Sequence, residues 1–143
     1  MRALVALVLL SACASCAERP RYGASMAQVG HYFELTGRAL QGGRLELARW
    51  TVHELSETFD DDVAHARPPG RADTAELNKQ DAAFRAGALN ALVAASTRND
   101  PAALTAAFAA AATSCNACHA AVGFSFLEVS GRPGDAVPTT LPP

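Results

Sequence analysis

Cys115-Asn116-Ala117-Cys118-His119 is the stretch from which the rest of the chain is read. Cys-x-x-Cys-His is the attachment sequence of a c-type haem. Two thiols three residues apart share one face of a helix, where both can form thioethers to the haem vinyl groups. The adjacent His then offers an imidazole nitrogen to the iron on the same side of the ring. A structural zinc would need two further ligands. A thioredoxin-like redox pair would want a βαβ context, and no such pattern is present. The expected cofactor is one haem c per chain, held by Cys115 and Cys118, with His119 as the proximal iron ligand.

Working outward, the 143 residues fit one domain. Half are apolar, aromatics are few, and Ala is abundant. Such a core lets helices pack closely and leaves room for a large flat cofactor. A formal charge of −2 and a pI near 6.0 argue against a nucleic-acid partner, which selects for a basic surface. The four cysteines fall into two pairs, Cys13 with Cys16 near the start and Cys115 with Cys118 in the motif, so no disulfide framework spans the body.

Arg2 followed by the apolar run Ala3 to Leu10 has the form of an export signal, and the run is too short to span a bilayer. Export suits the motif, because c-type attachment needs reduced thiols outside the bacterial cytoplasm or in an equivalent compartment. Leu10-Ser11-Ala12-Cys13 resembles a bacterial lipobox, with Cys13 as the lipidated first residue. Ordinary cleavage after Ala17 is the alternative. Ala14 after the lipidated Cys leans toward the outer membrane under the usual sorting pattern. The expected division is a lipoprotein signal peptide over 1–12, a linker over 13–22, a helical domain over 23–122 and a Pro-containing tail over 123–143.

Within the domain the periodicity predicts four helices. Met26, Val29, Phe33, Thr36 and Leu40 share one face of the first, which Gln41-Gly42-Gly43 stops. Leu45, Ala48, Val52, Leu55 and Phe59 mark the second from Arg44, with Asp60-Asp61-Asp62 read as a solvated turn at or beyond its end. Pro68-Pro69-Gly70 breaks the chain. Asp73 and Glu76 form a capping-box pattern ahead of a third helix with Leu77, Phe84, Ala88, Ala91 and Ala95 inside. Asp100 and Pro101 suit the cap and first turn of a fourth, running through Leu104, Phe108, Ala111, Cys115, Cys118 and Val122. The short breaks predict an all-α, antiparallel up-down-up-down four-helix bundle with covalent haem c. The tail, with Pro133, Pro138, Pro142 and Pro143, reads as ordered and then fraying, with Phe124 and Phe126 folding back over a haem edge.

Asp100-Pro101-Ala102-Ala103-Leu104 through Ala107-Phe108, then Ser114-Cys115-Asn116-Ala117-Cys118-His119-Ala120, resembles the last helix of the class II c-type cytochromes, the group that includes cytochrome c-prime. The close resemblance covers this one helix; elsewhere it is a match of helix number and order. It implies a four-helix bundle, often dimeric, that either carries electrons or binds small gases. The split follows the sixth iron position: a Met from the first helix gives a low-spin carrier, an apolar residue a five-coordinate iron. Two departures are Ala121-Val122-Gly123-Phe124 in place of a basic run after the motif, and the expected lipid anchor.

Met26, His31, His53 and His65 are the sixth-ligand candidates. In an antiparallel bundle the start of the first helix lies beside the end of the fourth, which sets Met26 level with His119. Met26 also shares the apolar face of Val29 and Phe33, so it is the expected distal ligand, core filling being the bland alternative. His31 falls on the opposite face, about 7.5 Å deeper. His53 sits off the apolar face, and His65, beyond the acidic run, is the runner-up. Val29, Phe33 and Phe108 are expected at the haem pocket. Trp50 and Leu35 point away from the inner faces and suggest a homodimer contact.

No convergent acid, base and nucleophile are visible, which reads as no enzyme. The expectation is a periplasmic monohaem c-type cytochrome, anchored to the outer membrane by its lipidated N-terminus and passing single electrons to a redox partner protein. The alternatives are a five-coordinate haem protein binding nitric oxide or carbon monoxide, and a non-haem lipoprotein acting as an interaction module.

Overall fold

The structure is a computed structural model, and it describes residues 19–135. The signal peptide at 1–12, the lipidation at Cys13, most of the linker and the tail from residue 136 lie outside the described residues. Helix dominates: α1 is Tyr22–Gln41, α2 Leu45–Thr58, α3 Thr74–Phe84, α4 Asn90–Thr97 and α5 Pro101–Ala121. A π-helical turn, Phe59–Val63, prolongs α2, and a second, Arg85–Leu89, joins α3 to α4. The α segments therefore make four rods, in a helical bundle. Among the described residues the one β-type pairing is an isolated bridge between Arg21 and Arg67. None of the described helices is long and apolar enough to cross a membrane.

Local chemistry sets the ends of these rods. Asp73 accepts from the Ala75 and Glu76 amides at 2.8 and 3.2 Å, so α3 starts on the expected cap. The Glu76 carboxylate turns instead to Gln80 and Lys79, at 2.7 and 3.1 Å. Asp100 caps α5 through the Ala102 and Ala103 amides, both at 3.0 Å, with Pro101 in the first turn. Gly42 and Gly43 end α1, and the Arg44 amide closes the turn on the Ala39 carbonyl at 2.8 Å.

The core is built from facing rows of Ala, Leu, Val and Phe. Phe33 of α1 stacks on Phe108 of α5 with centroids 4.2 Å apart, and Phe59 packs against Phe84 at 4.9 Å. Ala48 and Ala111 are fully buried and bring backbones close. Where α1 meets α2, the buried Thr36 hydroxyl donates to Thr51 Oγ1 at 2.8 Å, so these polar groups are satisfied. Each large apolar side chain buried here contributes roughly 1.5–3 kcal/mol. Exposed pairs such as Arg49–Glu46 contribute roughly 0–1 kcal/mol. Apolar packing holds the bundle.

Two expectations need correction and one gains detail. Asp60-Asp61-Asp62 lies beyond α2, which ends at Thr58, and the turn that holds it is π-helical, with the Ala64 amide reaching five residues back to the Phe59 carbonyl at 3.1 Å. That turn keeps Phe59 and Val63 buried while the three carboxylates face water. Arg85 secures it by donating to Asp60 at 2.6 Å, to Asp81 at 2.8 Å and to the Phe59 carbonyl. In the third rod the second π turn shifts the register, so Leu89, Leu92 and Ala95 are buried and Ala91 is exposed. Leu35 is half-buried, whereas Trp50 is 50% exposed and meets the Tyr32 ring edge-on at 6.1 Å.

Candidate functional site

Cys115, Cys118 and His119 stand in the last turns of α5, and all three line one cavity. Its volume is about 210 Å³. The walls are apolar: Val29 and Phe33 from α1, Leu55 and Phe59 from the second rod, Leu77 and Phe84 from α3. Tyr22, Asp81 and Glu128 add a polar strip. Asp81 gives one oxygen to Arg85, while its Oδ1 is buried without a hydrogen-bond partner.

The end of α5 determines how His119 is presented. Gly123, at φ +87°, takes the left-handed conformation that a glycine adopts without strain. The Phe124 amide then closes on the His119 carbonyl at 2.7 Å, and the Gly123 amide on Ala120 at 3.3 Å. This is the paired-bond ending of a Schellman motif. It turns the chain back over α5, where His119 Nδ1 lies 2.8 Å from the Leu127 carbonyl oxygen. A carbonyl can only accept, so Nδ1 donates, and in the neutral ring Nε2 is the nitrogen that holds the lone pair.

Two residues further on, the Asn116 amide grips the backbone of Val129. Its Nδ2 donates to the Val129 carbonyl at 2.9 Å, and its Oδ1 accepts from the Val129 amide at 2.7 Å. The returning segment is thus held against α5 at Val129. Phe124 and Leu127 line the cavity, while Phe126 is 57% exposed and its ring lies edge-on to Phe124 at 6.0 Å.

Burial dominates the electrostatics of the thiols. It pushes Cys115 up to about 12, with the neighbouring Cys118 adding to the effect. Cys118 is raised as well, by burial first and then by Asp81 and Glu76. Burial, then Asp81, also raises the Tyr22 hydroxyl. A redox-active dithiol needs a depressed pKa to supply thiolate. These two thiols are neutral near pH 7, and their environment suits retention in an apolar site better than thiol exchange.

The sequence-selected residues divide cleanly. Met26, Val29 and Phe33 line the cavity with the two cysteines and His119. Phe108 does not belong to that wall; it lies behind Phe33 in the packed core, because the stacking of the two rings fills the space between them. His31 and His53 are exposed. His65 is exposed too, with Nδ1 2.8 Å from the Asp61 carbonyl oxygen. Among the described residues no group of three His, Cys, Asp or Glu side chains is arranged to hold a bare metal ion. Sequence reasoning missed Tyr22, Asp81, Asn116 and the Leu127 carbonyl. Only Gly123, one residue past the helix end, signalled that the chain could reverse there.

No protein-family model, curated protein or solved structure matches the chain.

Proposed function

We propose that the chain is an exported monohaem c-type cytochrome that carries single electrons. The observation that carries this reading is the state of His119: Nδ1 is engaged by the Leu127 carbonyl, which leaves Nε2 free as a ligand. A haem fits the residues present. Two thiols and an imidazole with a free nitrogen share one apolar, aromatic-walled cavity, and the thiols are neutral.

In this reading Cys115 and Cys118 hold the group through thioethers and His119 supplies the proximal nitrogen. When bound, haem supplies a one-electron redox centre. Val29, Phe33 and Phe84 would give the group an apolar wall, and Met26 would be its second axial side chain, favouring a carrier over a gas-binding site. Residues 1–12 would direct export to the periplasm, with Cys13 lipidated and the protein held at the outer membrane.

We also propose the antiparallel up-down-up-down topology. Its supports are the short break at Gly42-Gly43 and the convergence of the start of α1 and the end of α5 on one cavity. Tyr22 and Met26 share that cavity with Cys118 and His119.

The test is expression of the full chain in a host with c-type maturation machinery, followed by denaturing electrophoresis with haem detection. Covalent haem that disappears in the Cys115→Ser, Cys118→Ser double variant is the expected result. A chain that comes out without haem would turn the reading toward the non-haem lipoprotein. A second reading, a five-coordinate protein that binds nitric oxide or carbon monoxide, is favoured by the apolar wall of Val29 and Phe33 beside a Met26 that is only half-buried.

A further inference from the structure

The segment 124–135 lies along α5 as a strap and is fixed at three levels. At its start, the Phe124 amide bonds the His119 carbonyl at 2.7 Å. In its middle, Asn116 holds both backbone groups of Val129, at 2.9 and 2.7 Å. Further along, Gly131 approaches α5 so closely that a Cβ there would stand 3.0 Å from Ala109 Cα. The Leu127 carbonyl, which accepts from His119 Nδ1 at 2.8 Å, lies between the first two anchors.

Asn116 occupies the first variable position of Cys115-Asn116-Ala117-Cys118-His119, where attachment itself asks nothing of the side chain. A primary amide offers a donor and an acceptor side by side, matching the C=O and N–H of one residue. Asp would keep only the acceptor and Ala neither.

We infer that Asn116 is a positioning residue: by clamping Val129 it keeps the Leu127 carbonyl on His119 Nδ1, and so fixes the tautomer, orientation and electron donation of the imidazole. This rests on the haem reading above. An acceptor on Nδ1–H strengthens Nε2 as a donor. A stronger donor favours the oxidised iron, so releasing the strap raises the midpoint potential.

The experiment compares the matured full-length protein with Asn116→Ala and Asn116→Asp. It reads haem per chain, midpoint potential, thermal stability and solvent exchange of the His119 Nδ1 proton by NMR. Asn116→Ala is expected to load haem and favour the reduced form by about tenfold at fixed ambient potential, 59 mV for a one-electron couple. Its Nδ1 proton should exchange about tenfold faster, with Asn116→Asp intermediate. A loaded Asn116→Ala with lower stability but unmoved potential and exchange overturns the inference, because Asn116 is then only a structural clamp. If neither variant loads haem, the haem-free chains decide: Nδ1 exchange about tenfold faster in Asn116→Ala than in the parent supports the inference, and equal exchange overturns it. A native chain without covalent haem overturns the haem reading and this inference with it.

Discussion

His119 Nδ1 lies 2.8 Å from the carbonyl oxygen of Leu127, a residue beyond the helix that carries His119. The contact joins the two ends of the site. It fixes the imidazole in one tautomer, leaves Nε2 free, and requires the chain after α5 to reverse at Gly123. A histidine that served only to fill space would not need its second nitrogen directed this way.

The distal side is tested at Met26, which lines the cavity with Val29 and Phe33. The matured native protein is expected to be low-spin, with a weak long-wavelength sulfur-to-iron band, and indifferent to carbon monoxide. Met26→Ala should lose that band and bind carbon monoxide. A native protein that is high-spin and shifts its spectrum on adding carbon monoxide would favour the gas-binding reading.

Phe108 belongs to stability more than to the site. Its ring is buried and stacked on Phe33 at 4.2 Å. Phe108→Ala is expected to cost about 3–5 kcal/mol in denaturant unfolding. The optical spectrum of the fraction that stays folded should be unchanged. A loss under about 1 kcal/mol would mean that the surrounding helices collapse into the space.

The strap can be lifted without touching the motif. Gly131→Ala puts a methyl 3.0 Å from Ala109 Cα and 3.2 Å from the Ala109 carbonyl oxygen, neither of which belongs to a flexible side chain. Hydrogen exchange at the Val129 amide, held natively by Asn116 Oδ1, should rise by about tenfold. Unchanged exchange would show that the strap accommodates the methyl in place.

Cys115 carries a pH dependence whose sign follows from its burial. Its folded-state value rises from 9.0 to about 12, so the fold favours the neutral thiol. This contribution to the stability of the polypeptide with a free thiol is complete below pH 9.0 and is lost as the pH rises toward about 12. Urea midpoints across that range should fall more steeply for the parent than for Cys115→Ala. Parallel slopes would contradict the burial of this thiol.

How much of this could be read from the chain depended on range. Caps and breaks are local chemistry, so Asp73, Asp100 and Gly42-Gly43 announced the ends of the rods where they occur. The motif, being contiguous, brought Cys115, Cys118 and His119 together at once. Helical periodicity put Met26, Val29 and Phe33 on one face, and all three line the cavity. It failed where the helix departs from 3.6 residues per turn. The π turn at Arg85–Leu89 moved the inner face from Ala91 to Leu92. The strap was least legible. Its hold on Asn116 and His119 comes from backbone groups of Val129 and Leu127, and a backbone carbonyl leaves no residue-type signature.

The first measurement is the mass of the full-length chain after export through a c-type maturation pathway, taken under denaturing conditions, with its pyridine haemochrome spectrum. The expected result is one haem per chain, retained in denaturant and lost in Cys115→Ser, Cys118→Ser. A mass equal to that of the processed polypeptide alone, with no haem absorbance, would contradict the cytochrome reading and leave a helical bundle whose cavity serves some other ligand.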